Sequence, residues 1–201
     1  MKITTIYDLK PAFQQLLRPL MVWLANAGIT PNQITWAALL LSVATGAAVV
    51  WTGGASWLLI SIPLVLLVRM ALNALDGMLA KEYQQQSRAG AMLNEMGDVV
   101  ADAALYLPLG LLVGVSGVMV TLFVIVGIFA EMAGVLGAAI GGTRRYDGPM
   151  GKSDRAVLFG CIALLLGLGG APGWWVDVLL GIAILLGGLT LVNRCRRGIA
   201  S

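Results

Sequence analysis

Six apolar stretches, at approximately 34–51, 57–75, 91–113, 118–140, 156–170 and 174–192, take up most of this chain of 201 residues. Each approaches the roughly 20 residues an α-helix needs to cross hydrocarbon. The fifth is short and reads as starting inside the preceding loop. Hydrophobic residues make up 59% of the chain and charged residues 11%, against roughly 45–50% and about 25% in a soluble domain. A backbone in lipid must satisfy its own hydrogen bonds, which leaves helices or closed barrels, and runs this long specify helices. The expected fold is an all-α membrane protein of six transmembrane helices. Short loops then account for nearly all the rest, so residues 1–201 are expected to form one domain.

The charges sort by side. Lys2, Lys10 and Arg18 precede the first span, and Lys81 and Arg88 follow the second. Arg144, Arg145, Lys152 and Arg155 separate the fourth and fifth, and Arg194, Arg196 and Arg197 follow the sixth. The alternate connections, near 52–56, 114–117 and 170–173, contain no Lys or Arg. By the positive-inside rule both termini and both basic loops are cytoplasmic, which requires an even number of spans. The N-terminus lacks the apolar core of a secretory signal. Residues 10–27 read as an amphipathic segment on the membrane surface. Gly28 can end it, and Thr30 with Pro31 can open the next helix. Trp51, Trp57, Trp174 and Trp175 read as interfacial anchors on the uncharged side. Glycines 110 and 114, and 137 and 141, have small-xxx-small spacing, read first as helix packing and second as a homodimer contact.

The chain contains no His. That excludes histidine bases, histidine metal ligands and Ser-His hydrolysis. Cys161 and Cys195 suggest no disulfide framework. Acid–base or metal chemistry must therefore rest mainly on carboxylates, amides, Lys or Arg. Acids inside spans are costly and mark function or pairing. Asp76 ends the second span, Asp98 and Asp102 open the third, Glu131 lies in the fourth, and Arg69 in the second. Asn73 and Asp76 share one helix face, as do Asn94 and Asp98 on the next, antiparallel helix. Four oxygen-bearing side chains can converge near the cytoplasmic interface and suit a hard cation such as Mg²⁺. The alternative is an interhelical hydrogen-bond cluster in which Arg69 and the acids neutralise one another. Gly77 and Gly90 leave room for a ligand near the backbone.

Read as a string, the region is Asn73-x2-Asp76-Gly77-x2-Ala80-Lys81-x8-Gly90-x3-Asn94-x3-Asp98. It resembles the CDP-alcohol phosphatidyltransferase signature D-x2-D-G-x2-A-R-x8-G-x3-D-x3-D, with every spacing retained. The six-span layout, the amphipathic start and Thr30-Pro31-Asn32 also resemble that family. Asn73 and Asn94 stand where the family has its first and third aspartates, and Lys81 where it has Arg. The resemblance implies Asn73, Asp76, Asn94 and Asp98 around Mg²⁺ or Mn²⁺, as one or two ions, and Asp98 as the base on the incoming alcohol. It implies Asp76, Gly77, Ala80, Lys81 and Gly90 around the CDP group. The two amides lower the formal charge of the four-residue cluster from −4 to −2. Asp102, one turn beyond Asp98, and Glu131 are candidate supporting acids. Glu95 points roughly 100° away from Asn94 on a helix.

The implied reaction transfers a phosphatidyl-type group from a CDP-alcohol lipid, such as CDP-diacylglycerol, to a small polar acceptor alcohol and releases CMP, in phospholipid synthesis at the cytoplasmic face. Arg144, Arg145, Lys152 and Arg155 form the candidate acceptor or phosphate pocket, with Gly151-Lys152-Ser153 as a helix N-terminus suited to an anion. Ordinary positive-inside charge is the other reading of this loop. Asp147 and Asp177 are expected in solvent, and Arg194 to Arg197 as a basic tail against anionic lipid. No nucleic-acid partner is expected. Two further readings stay open: an inactive relative that binds lipid or nucleotide, and a small transporter using Asp98, Asp102 and Glu131 as an ion path.

Overall fold

The computed structural model describes residues 10–200, which form seven α-helices; no strand occurs among them. They are α1 (Lys10–Asn26), α2 (Pro31–Thr52), α3 (Ser56–Glu82), α4 (Arg88–Tyr106), α5 (Gly117–Ala139), α6 (Lys152–Gly167) and α7 (Trp174–Ile199). Lys2 lies outside the described residues. Four helices, α2, α3, α5 and α7, are long and apolar enough to cross a membrane. The expected span at 91–113 divides. Pro108 has no N–H and its ring opposes the α conformation before it, so α4 stops at Tyr106 and a 3-10 turn, Leu107–Leu111, follows. The short fifth stretch does begin early, at Lys152, and covers 16 residues.

The chain divides into two compact units. The first holds residues up to Thr45 and Leu64–Leu105. Here α1 is helical through Pro19, and Leu17 and Met21 face inward, with Phe13 and Leu24 alongside. That spacing of three and four makes one helical face. An adjoining face exposes Leu16, Leu20 and Trp23. The inner face packs on Ile34 from α2 and on Leu75, Met78 and Leu79 from α3. Gly28 closes α1 with φ +75°, a left-handed conformation that glycine adopts without penalty. Gly28 N–H donates to Ala25 O, and Ile29 N–H to Leu24 O, both at 3.0 Å. This is a Schellman ending. Two residues on, Thr30 and Gln33 cap α2 reciprocally. Gln33 Oε1 accepts from Thr30 N–H at 2.9 Å, and Thr30 Oγ1 accepts from Gln33 N–H at 3.4 Å.

The second unit holds Gly46–Pro63 and residues from Tyr106 onward. Its main packing is α5 against α7, with α5 also meeting the 3-10 turn and α6. Tyr106 lies against Phe123 and Phe159, ring centroids 5.9 and 4.4 Å away. The glycine spacings noted above are not helical stripes. Gly110 lies in the 3-10 turn against Gly117, and Gly114 follows it, against Pro172. Gly137 does serve a helix crossing, with Gly198 of α7, but Gly141 lies past the end of α5. Trp51, Trp57 and Trp174 are exposed at helix ends.

Leu79 is fully buried in the α1–α2–α3 cluster. Leu79→Ala leaves a cavity there and is expected to cost about 2–5 kcal/mol, measured as a lowered unfolding midpoint in detergent with helix content unchanged.

Candidate functional site

In the first unit, α3 and α4 run antiparallel through a short loop. Arg69, Asn73 and Asp76 recur at steps of four and three along α3, and Asn94, Asp98 and Asp102 at steps of four along α4. Each set forms one stripe, and the two stripes meet. Arg69 is buried. Its Nη1 lies 2.6 Å from Asp102 Oδ1, its Nη2 donates to the Asp98 carbonyl at 3.1 Å, and Asp98 Oδ1 is 3.9 Å away. One turn along, Asn73 Nδ2 donates to Asp98 Oδ1 at 2.9 Å. By the same register Asn94 stands a turn closer to the loop, at the level of Asp76. Asp76 is buried, and its Oδ2 accepts from Thr35 Oγ1 of α2 at 2.8 Å.

The two glycines of the string behave differently. A Cβ on Gly77 would meet nothing within 4 Å, so no protein neighbour demands a glycine there. A Cβ on Gly90 would lie 2.8 Å from Asn32 Oδ1 and 2.9 Å from Ser87 Oγ. The space at Gly90 is therefore taken by the chain's own side chains, not left open as expected. Lys81 and Ala80 close α3, with Lys81 exposed and Ala80 half-buried. Glu95 is half-buried.

Among the described residues, no three of Asp, Glu and Cys gather so as to hold a metal ion. The donor set at the α3–α4 stripe is mixed: Asp76 and Asp98 bring carboxylates, and Asn73 and Asn94 bring amide oxygens. Oxygen donors of this kind fit a hard divalent cation, at lower charge than an all-carboxylate set.

The second unit carries its own charge cluster. Glu131 of α5 is buried, and three guanidiniums converge on it: Arg155 Nη2 at 3.1 Å, Arg194 Nη1 at 3.3 Å and Arg144 Nη2 at 3.4 Å. Arg194 also donates to Ala130 O at 2.6 Å and to Asp147 O at 3.3 Å. It is 2% exposed, so it belongs to the interior and not to a lipid-facing tail. Asp147 is likewise not a free solvent acid, because Arg197 pairs with it. Arg145 turns away from Glu131 and donates to Arg197 O at 2.9 Å. Lys152 and Ser153 do open α6, but Gly151 N–H already donates to Asp154 Oδ2 at 2.9 Å, so the helix start supplies its own anion. Asp177 is half-buried in the first turn of α7. Cys161 and Cys195 are free and exposed.

Glycines on α5 admit these arginines. A Cβ on Gly127 would lie 3.0 Å from Arg155 Nε, and one on Gly134 would lie 2.6 Å from Arg145 O and 3.3 Å from Arg194 Nη1. Sequence reasoning passed over Thr35, read Asn32 only within Thr30-Pro31-Asn32, and assigned Arg194 to a basic tail. A hydroxyl inside an apolar run marks Thr35, and Asn32 shares its helix face at a step of three. Nothing in the basic run 194–197 separates Arg194 from its neighbours.

The chain belongs to the CDP-alcohol phosphatidyltransferases, whose family model matches residues 28–191. Its relatives include YnbA, an inner membrane protein of Escherichia coli (strain K12). The two are 47% identical over 194 residues, which are 96% of this chain and 95% of that protein. Its fold matches that of Mycobacterium tuberculosis phosphatidylinositol phosphate synthase, PgsA1. The crystal structure of PgsA1 with CDP-DAG bound gives a TM-score of 0.75 at 19% identity, covering 92% of this chain and 94% of that one. The complex of PgsA1 with manganese and citrate gives 0.72 at 20% identity, covering 90% and 88%. With four helices apolar enough to span and an inner membrane relative, the chain is a multi-pass membrane protein.

Removing Arg69 takes a cation away from two acids, one of them buried. Arg69→Ala is expected to destabilise by about 3–5 kcal/mol, and Arg69→Lys by less, in thermal unfolding of the purified protein. Glu131→Gln removes the carboxylate on which three guanidiniums converge, and is expected to lower the unfolding midpoint in the same assay.

Proposed function

We propose that the chain transfers a phosphatidyl-type group from a CDP-alcohol lipid, such as CDP-diacylglycerol, to a small polar acceptor alcohol. The observation that carries this reading is the meeting of Asn73 and Asp98 at 2.9 Å, within a string whose spacings are those of the family signature. In the proposed reaction the acceptor hydroxyl oxygen attacks the phosphorus that bears the lipid. Its bond to the CMP oxygen breaks, and CMP leaves. Asp98 accepts the hydroxyl proton, a role that asks only for an ionised carboxylate within reach. Asn73 and Arg69 steady Asp98 from α3. Asp76, Asn94 and Asp98, with the Asn73 amide oxygen, would hold Mg²⁺ or Mn²⁺. When bound, that ion neutralises pyrophosphate charge and the leaving CMP. The crystallised manganese complex of PgsA1 supports the choice of ion. Open space at Gly77 supports close approach of the CDP group, with Ala80 and Lys81 beside it.

The second unit favours an anionic group on one substrate. Three guanidiniums converge on Glu131, and guanidiniums suit a phosphate, so a phosphorylated acceptor is the preferred case. Arg144 and Arg155, with Lys152 and Arg145 nearby in sequence, would contribute to this site. We further propose that α4 and α6 complete six spans, that residues 1–201 act as one domain, and that the active site faces the cytoplasm. The family match running through both units supports the single domain, and the basic loops support the orientation.

Asn73 and Asn94 also favour a second reading, an inactive relative that binds lipid or nucleotide. Release of labelled CMP from CDP-diacylglycerol by purified protein with Mn²⁺, screened across acceptor alcohols, separates the two. Transfer is expected from the wild type. Release only from the Asn73→Asp, Asn94→Asp double variant would establish the inactive relative. Asp98→Asn is expected to lower release by about 10²–10⁴-fold with the unfolding midpoint retained. Near-normal release would remove Asp98 as the base.

A further inference from the structure

The carboxylate of Glu131 has two unlike ends. Its Oε1 faces Arg155 Nη2 at 3.1 Å and Arg194 Nη1 at 3.3 Å, from side chains 3% and 2% exposed. Its Oε2 faces Arg144 Nη2 at 3.4 Å, from a side chain 24% exposed. Two partners are interior, and the third stands at the edge with access to solvent. Arg194 is fixed further by Ala130 O at 2.6 Å. Arg144 comes from the loop before α6, and its guanidinium lies over the Tyr146 ring, 5.0 Å from the centroid. The backbone beside it is pinned, because Arg145 N–H donates to Gly134 O at 3.1 Å. A change of partner at Arg144 is therefore a movement of its side chain, not of the loop. Carboxylate and phosphate oxygens compete for the same fork of guanidinium N–H donors. A buried carboxylate beside that fork also repels an arriving anion.

We propose that Glu131 is an internal anion that sets the affinity of this cluster for phosphate. A phosphate on a substrate takes Arg144 from Glu131 Oε2, while Oε1 keeps Arg155 and Arg194. The inference rests on the reading of the cluster as a phosphate pocket, and names the residue that regulates it. The same carboxylate stabilises the folded chain and opposes the ligand. Its removal therefore acts in opposite directions on the two.

The test is titration of the purified full chain in detergent with inorganic phosphate, against chloride at matched ionic strength, followed by calorimetry and by the unfolding midpoint. Phosphatidic acid in micelles is titrated separately, because a lipid headgroup carries the same phosphate monoester. In at least one arm Glu131→Gln is expected to bind about tenfold tighter than wild type, and the ligand is expected to return its lowered midpoint toward that of wild type. The arm that shows this names the source, soluble or lipid. Equal or weaker binding by Glu131→Gln in both arms overturns the inference and leaves the phosphate pocket standing. Binding by neither protein overturns both. A variant that folds in phosphate but not in chloride supports the exchange. If it folds in neither, Arg144→Gln decides. That substitution lies in the loop, and is expected to weaken phosphate binding about tenfold with the midpoint kept. Unchanged binding would overturn the inference. None of these readouts uses CMP release, so failure of the transfer reaction leaves them standing.

Discussion

Arg69 joins α3 to α4 by charge in a place where charge is costly. Its guanidinium is buried, reaches the Asp102 carboxylate and the Asp98 carbonyl together, and so spans a full turn of the neighbouring helix. Removing Arg69 or Asp102 would take a close counter-charge from a buried ion, which makes the contact a strong constraint on register. Sliding α4 by one turn would carry Asp98 away from Asn73. The alignment of the two stripes therefore depends on this one cation, although it stands outside the family string. The acids and Arg69 do neutralise each other, as a structural cluster would. That same pairing holds the signature side chains together, so the structural and chemical readings of the acids are not exclusive.

The second unit solves the same problem with the opposite sign. Three arginines reach Glu131 from the loop before α6, from α6 and from α7. Long side chains can enter a packed interior only where something small gives way. Gly127 and Gly134 on α5 supply that room, since a methyl group at either would press on an arginine atom or a carbonyl. Glycine abundance here answers to buried charge as much as to close helix crossing. The Gly137–Gly198 contact shows that crossing does occur on the same helix pair.

Much of the fold was legible because hydropathy and capping are local. Helices α2, α3, α5 and α7 follow their apolar runs to within a few residues at most ends, and the Gly28 to Gln33 stop-and-start is written in consecutive positions. Pro108 was visible too, yet the apolar run through it hid the end of α4. The α3–α4 stripe was readable from steps of three and four. What escaped was long-range: Thr35 on Asp76, Asn32 over Gly90, and Arg194 on Glu131. Each joins residues more than forty apart in the chain or depends on which way a helix end turns. No periodicity within one segment records such a contact. Arg194 and Arg197 differ by less than one turn, yet one is buried and the other exposed.

The exchange of Asp for Asn at 73 and 94 has a consequence for donor binding under the proposed reaction. A CDP-alcohol brings its own negative pyrophosphate. A four-carboxylate site repels that group until cations are in place, so donor binding depends steeply on metal occupancy. With two amides the repulsion falls by half in formal charge, and the amide N–H groups add donors a carboxylate lacks. Lys81, compact and strongly hydrated, remains a point charge near the loop, where a guanidinium would grip phosphate with two prongs. Under that reaction these changes shift recognition of the donor from bidentate contacts toward amide hydrogen bonds and a single point charge. Orientation of the base must then come from the protein. The hydrogen bond from Asn73 and the buried guanidinium of Arg69 supply it.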